Sequence, residues 1–310
     1  MRQVFGDTIL KLAKTNKNIY VVNADLKSSL YLGKFASWYR HRFIECGVAE
    51  ANAAAVAAGL AKTGKTVFLT SFSCFSPALN WAVIKQSICL NNANVKIIGS
   101  HSGLLSGTLG ATHQMLEDIA LTRCLPNLEV FSPLDALELE KIITTSIHSP
   151  RPAYIRLVRP ATPVVYPASR PFTIGKSLVL KEGKDITVAG YGPILLEALE
   201  AQAHLAKKLD KKAPDLEIIN CSSIKPLDVS TLKKSLSKTG RLIVLEDHQK
   251  NGGLGEAIAA TLLSQNLTFR FIHLAVDNQF GHSAKDPKDL YNYYGLSLKY
   301  LLSAIKKILN

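Results

Sequence analysis

Glu50 opens the alanine-rich run GVAEANAAAVAAGLAK (47–62), where its neighbours are Val, Ala and Gly. A carboxylate in such surroundings has few competing partners and is free to bond a ligand. A glutamate in a first helical turn can equally serve the helix dipole or a cap. His101 and His113 bracket a loop containing Gly103, Gly107 and Gly110. Two imidazoles on one glycine-rich loop can move protons near neutral pH, and loops held by a rigid scaffold commonly carry function. They lack metal-ligand spacing and no cysteine accompanies them, so no metal site is expected in the chain. GGLGEA (252–257) reads as a tight strand-to-helix turn, because no acidic residue follows a complete GxGxxG at the required distance.

These side chains need elements to hold them. Short apolar runs at 18–25, 66–72, 95–100, 128–133 and 153–159 read as strands. Helices are expected over 49–62, 77–90, 114–125 and 134–148. Strands alternating with helices predict an α/β fold, with a mostly parallel sheet covered on both faces. Ligands of such sheets sit at the carboxyl ends of the strands. That rule singles out Asp25 to Ser29, His101 and Arg159. Pro160, Pro163, Pro167 and Pro171 then interrupt the pattern. The alternation resumes with strands at 185–192, 216–223, 241–247 and 269–276, and helices at 193–209, 228–236, 254–264 and 297–309. We therefore expect a first domain over 1–160, a linker over 161–184 and a smaller α/β domain over 185–310.

The net charge is +13, with lysines scattered apart from clusters at Lys207–Lys212 and Lys306–Lys307. No arginine-rich stripe interleaved with aromatics occurs, so the charge points to phosphorylated substrates or an acidic partner chain rather than nucleic acid. Five cysteines (46, 74, 89, 124 and 221) form no CxxC pair and read as free thiols in a reducing compartment. Residues 1–20 do not read as a signal peptide, and no apolar run reaches about 18 residues. A cytoplasmic protein without membrane spans is expected.

Longer stretches carry a family resemblance. FIECGVAEANAAAVAAGLAKTGKTVF (43–68) and GSHSGLLSGTLGATHQMLEDIALTRCLPNLEVFSPLDALE (99–138) resemble the pyrimidine-binding domain of transketolases and deoxyxylulose-phosphate synthases. LEDHQKNGGLGEAIA (245–259) and FGHSAKDPKDLYNYYGLS (280–297) resemble the last domain of that family. The resemblance implies two α/β domains and thiamine diphosphate lying between protomers. It implies that Glu50 bonds the aminopyrimidine ring and favours the tautomer that deprotonates the thiazolium carbon, the cofactor carrying the hard chemistry. Phe72 and Phe75 match the residues that pack on the pyrimidine, and His101 and His113 match histidines lining the substrate channel. Arg2, Ser29 and Arg159 match the groups that hold the sugar phosphate, a role suited to guanidinium.

The sequence departs from the family at four positions. Ala78 stands where a third pocket aromatic is usual. Thr108 and Leu109 replace an acidic pair whose aspartate reads a donor hydroxyl, and His282 replaces a glutamate. The GDG…N motif that holds Mg²⁺ and the diphosphate occurs nowhere in the chain. The resemblance thus implies a split transketolase: a separate N-terminal subunit holds Mg²⁺, and a heterotetramer forms around a homodimeric core. Ketol transfer between sugar phosphates is the leading expectation. Deoxyxylulose-phosphate synthase-like condensation, the β subunit of a 2-oxo acid dehydrogenase and a non-catalytic subunit stay open beside it.

Overall fold

The computed structural model describes residues 1–210 and 213–310; Lys211 and Lys212 of the expected basic cluster lie outside the described residues. Six strands follow in the first half: β1 (Ile19–Asn23), β2 (Phe43–Glu45), β3 (Thr66–Phe72), β4 (Val95–Ser100), β5 (Glu129–Phe131) and β6 (Ala153–Leu157). Six more complete the chain: β7 (Leu178–Lys181), β8 (Ile186–Gly190), β9 (Leu216–Asn220), β10 (Ser223–Lys225), β11 (Arg241–Gln249) and β12 (Arg270–Val276). They build two sheets, ordered β10-β5-β6-β4-β3-β1-β2 and β12-β11-β8-β9-β7. Both are mostly parallel; among the described residues only β10 against β5 and β7 against β9 run antiparallel. The expected two-sheet α/β architecture is thus the observed one.

Strands β4, β6, β8 and β9 are buried along their whole length, as continuous apolar runs require when helices cover both faces. The helix Glu50–Lys62 forms because alanine is the strongest helix former. It buries Ala53, Ala54, Ala57, Ala58 and Ala61, small side chains that let it pack close on β3. On the opposite face the helix Arg2–Thr15 packs against Ala136–Ser146, with Phe5 and Ile9 fully buried. No helix among the described residues is long and apolar enough to cross a membrane.

The structure departs from the sequence reading in particular places. Within the expected linker 161–184, Leu178–Lys181 forms β7 and pairs with β9, so the second sheet starts earlier than the prolines suggested. The helix expected over 77–90 is broken into short wide turns, Cys74–Leu79 and Ile84–Cys89, with Ser76 non-helical next to Pro77. The helix expected from 114 starts at Asp118, because Met115 bridges to Ser102 instead. Helices Arg2–Thr15 and Pro287–Tyr293 and strands β2 and β10 were not foreseen. β10 follows β9 of the second sheet but joins the edge of the first, so the two sheets are tied by hydrogen bonds.

Glu138 sits at this junction. It is fully buried and accepts from Ser222 Oγ at 2.6 Å, Asn220 Nδ2 at 3.0 Å and the Leu134 N–H at 2.6 Å. Burial outweighs these donors and raises its pKa from 4.5 to about 7. The native state therefore holds the proton more tightly than the unfolded chain. Stability is full below about pH 4.5 and falls as pH rises towards 7, by roughly 3 kcal/mol at 1.36 kcal/mol per unit. Glu138→Gln is expected to flatten that dependence. Urea midpoints at pH 5 and pH 7.5 that differ as much in the variant as in the parent chain would disprove it.

Candidate active site

The candidate residues converge at the carboxyl ends of β1, β3, β4 and β6, where the topology of a parallel sheet leaves loops free to build a site. Ser29 follows β1, Phe72 ends β3, His101 follows β4 and Arg159 follows β6. Four rings meet here. Phe72 lies edge-on to His101 with centroids 4.2 Å apart, and 6.1 Å from both Phe75 and His113. Phe75 is 5.6 Å from His113. The wide turn after β3 makes this possible, since Phe75 points back towards Phe72 instead of along a regular helix.

Glu50 is 7% exposed. Its Oε1 accepts one long hydrogen bond, 3.4 Å from Ser71 Oγ, while Asn80 Nδ2 fixes its backbone carbonyl at 3.0 Å. The carboxylate is thus placed by its helix and by Asn80, and most of its acceptor capacity is unspent. Burial raises the nearby Cys74 thiol to about 11, with the Glu50 charge adding to the effect, so this cysteine is a poor nucleophile.

His101 is 3% exposed and adopts φ +60°, unusual for a side chain with a Cβ. Its Nδ1 meets Ser100 Oγ at 3.0 Å. Burial, then the charges of Arg2, Arg159 and His113, lower its pKa to about 3. It works as a neutral imidazole. Its NMR ring shift is expected to stay flat from pH 8 to pH 5; an inflection near 6.5 would contradict the assigned environment. His113, half-buried, has Nδ1 2.9 Å from Thr112 Oγ1.

Arg2, Ser29 and Arg159 form one corner. Arg2 donates from Nε to the Arg159 carbonyl at 3.1 Å and from Nη1 to Ser29, at 3.0 Å to its carbonyl and 3.2 Å to its Oγ. Arg159 Nη1 donates to Thr108 Oγ1 at 3.1 Å and the Ser106 carbonyl at 3.4 Å. Their remaining N–H groups face no protein acceptor among the described residues, and half-exposed guanidiniums so arranged bind anions. Thr108, one of the departures noted above, thus serves to orient Arg159. Leu109 and Ala78 are half-buried, and His282 stacks on Tyr293 at 5.2 Å.

No group of three or more His, Cys, Asp or Glu among the described residues is placed to hold a metal. Sequence reasoning missed Ser71 and Asn80 around Glu50, and a buried set behind the site. Arg156 donates from Nε to Asp118 Oδ2 at 2.9 Å and from Nη1 to Asp247 Oδ1 at 2.6 Å. No local spacing signals a contact across 91 residues.

Sequence comparison matches residues 1–164 to the transketolase pyrimidine-binding domain and residues 175–300 to the transketolase C-terminal domain. The chain is 35% identical to a subunit of the apulose-4-phosphate transketolase of Phocaeicola vulgatus, across 99% of this chain and 97% of that one. It is 31% identical to a subunit of the 6-deoxy-6-sulfo-D-fructose transketolase of Clostridium sp. (strain MSTE9), across 99% and 94%. A solved split gene transketolase, an inactive beta4 tetramer, superposes with a TM-score of 0.90 at 35% identity, over 99% of this chain and 97% of that one. With both domain matches in chain order and relatives matched almost end to end, the chain belongs to the transketolase family, whose pyrimidine-binding and C-terminal domains it carries.

Proposed function

We propose that the chain is the pyrimidine-binding subunit of a cytoplasmic, thiamine-diphosphate-dependent split transketolase, which transfers a two-carbon ketol unit from a ketose to an aldehyde. The observation that carries this reading is Glu50: a buried carboxylate whose one long hydrogen bond comes from Ser71, next in sequence to Phe72 of the ring cluster with Phe75, His101 and His113. An aminopyrimidine ring fits such a setting, which offers a free acceptor for a ring nitrogen and an apolar wall for its face. When bound, the cofactor supplies the carbon nucleophile. Glu50 would hold the ring through a hydrogen bond to its nitrogen and share the proton there. Phe72 and Phe75 exclude water. Neutral His101, with His113, bonds sugar hydroxyls and moves protons at them.

Arg2, Ser29 and Arg159 bind the anionic end of the sugar. The Phocaeicola relative is named for a phosphorylated ketose and the Clostridium relative for a sulfonated one, and this corner is where a phosphate would sit. Leu109 favours a second reading, condensation of a less hydroxylated 2-oxo acid donor, because an apolar side chain there accepts no hydroxyl hydrogen bond. Mg²⁺ and the diphosphate fall to a separate N-terminal subunit, in a heterotetramer around a homodimeric core. Both of those relatives are single subunits of their enzymes, and the superposed structure is of a transketolase encoded by a split gene; each supports that division.

Calorimetric titration of thiamine diphosphate with Mg²⁺ tests the proposal. Tight binding is expected only when the partner chain is mixed in. Tight binding by this chain alone would overturn the division of labour, and absence of binding to the correct pair would overturn the cofactor.

A further inference from the structure

We infer that Asp247, on β11 of the second sheet, is a positioning residue for the His101 loop of the first, acting through Arg156 and Gly103. Asp247 is nearly inaccessible, with Oδ1 2.6 Å from Arg156 Nη1 and its backbone carbonyl 3.0 Å from Arg156 Nη2. Arg156 lies on β6, whose last residue, Leu157, accepts the N–H of Ser102 at 3.0 Å. The other carboxylate oxygen of Asp247, Oδ2, is buried without a partner. It points at Gly103: a Cβ on that residue would overlap Oδ2 and stand 2.8 Å from Arg156 Nη2. Gly103 has φ +69° and donates its N–H to the Met115 carbonyl at 2.9 Å.

The loop is therefore pinned immediately after its strained residue. His101 at φ +60° persists only where its surroundings over-determine it. Ser106 Oγ bonds the His101 carbonyl and Ser102 Oγ bonds that of Gly99 at 2.9 Å. Asp247 and Arg156 crowd Gly103 at the start of the loop, while the Ala284 N–H bonds the Gly107 carbonyl at 3.4 Å further along it. Tyr154 reinforces the arrangement, donating to Asp118 Oδ2 at 2.8 Å while its oxygen lies 3.4 Å from Ser102 Oγ. The second sheet, which supplies none of the candidate catalytic groups, thereby helps set the backbone that aims the His101 ring at Phe72. The link to catalysis rests on the functional reading given above; the positioning does not.

Asp247→Asn keeps the shape and removes the charge that holds Arg156. Glu246→Gln is the control, since the side-chain partners of Glu246 (Tyr191, Leu254, Gly255 and His273) all lie in the second half. Amide exchange of the chain alone is expected to rise about tenfold or more at residues 102–109 in Asp247→Asn, with β8 and β9 unchanged, and not in Glu246→Gln. In the two-chain enzyme kcat is expected to fall about tenfold with KM little changed. Uniform acceleration, no acceleration, or a loosened loop with full kcat would each overturn the inference. If Asp247→Asn fails to fold, Gly103→Ala crowds the same contact from the loop side and carries the same expectation. A selectively loosened loop in a protein whose parent shows no thiamine-dependent turnover leaves the positioning standing and removes the functional reading instead.

Discussion

Glu50→Gln is expected to lower turnover of the two-chain enzyme by about 10²–10⁴-fold, the range for losing a group that manages a proton in the reaction. Glutamine fills the same volume and keeps the hydrogen bond from Ser71 possible, so neither the helix Glu50–Lys62 nor the Asn80 contact to the backbone should suffer. What it cannot do is exchange a proton with a ring nitrogen. The effect should therefore appear in kcat, while size-exclusion profiles and urea midpoints match the parent. Glu50→Ala separates the alternatives further: a helix-capping role predicts a loss of stability of about 1 kcal/mol, whereas a site role predicts lost turnover with little change in stability. Residual activity within about tenfold of the parent in Glu50→Gln would sink the assignment.

Legibility in the sequence followed the range of the interactions. Alternating apolar runs gave both sheets, since burial on two faces leaves a pattern within each strand. The alanine run gave the helix that carries Glu50. Glycines around His101 and His113 marked a candidate functional loop without showing why each was needed; Gly103 has no room for a Cβ because of Asp247, 144 positions away. β10 was invisible because three residues of ordinary composition joined the sheet of the other half. β7 was hidden by prolines just before it. Arg2 was named through family resemblance alone, and its position in the structure depends on a carbonyl 157 positions away. Local pattern thus gave the elements, and nothing local gave the polar contacts between the two halves.

Those contacts set the largest expected effect on stability. Arg156 is 1% exposed and its guanidinium is the only charged partner bonded to the buried carboxylates of Asp118 and Asp247 among the described residues. Arg156→Met keeps the length and apolar stem but leaves two buried carboxylates without a counter-charge; each already has one oxygen without a partner, and among the described residues only Asp118 keeps a side-chain donor, Tyr154. Breaking a buried pair from one side costs about 3–5 kcal/mol, a large share of the stability of a chain this size. The sign with pH follows from burial. Burial already raises the Asp247 carboxyl above its usual value with Arg156 beside it, and without the cation it rises further. Stability of the variant is then lost as pH rises through the raised Asp247 pKa, so its deficit against the parent should be largest near pH 7 and shrink towards pH 4.5. Because Arg156 belongs to the first sheet and Asp247 to the second, the same change should also loosen the coupling of the two halves and split one urea transition into two. A deficit below about 1 kcal/mol at pH 7, or one that does not change between pH 7 and pH 4.5, would mean that Arg156 is not what joins the halves.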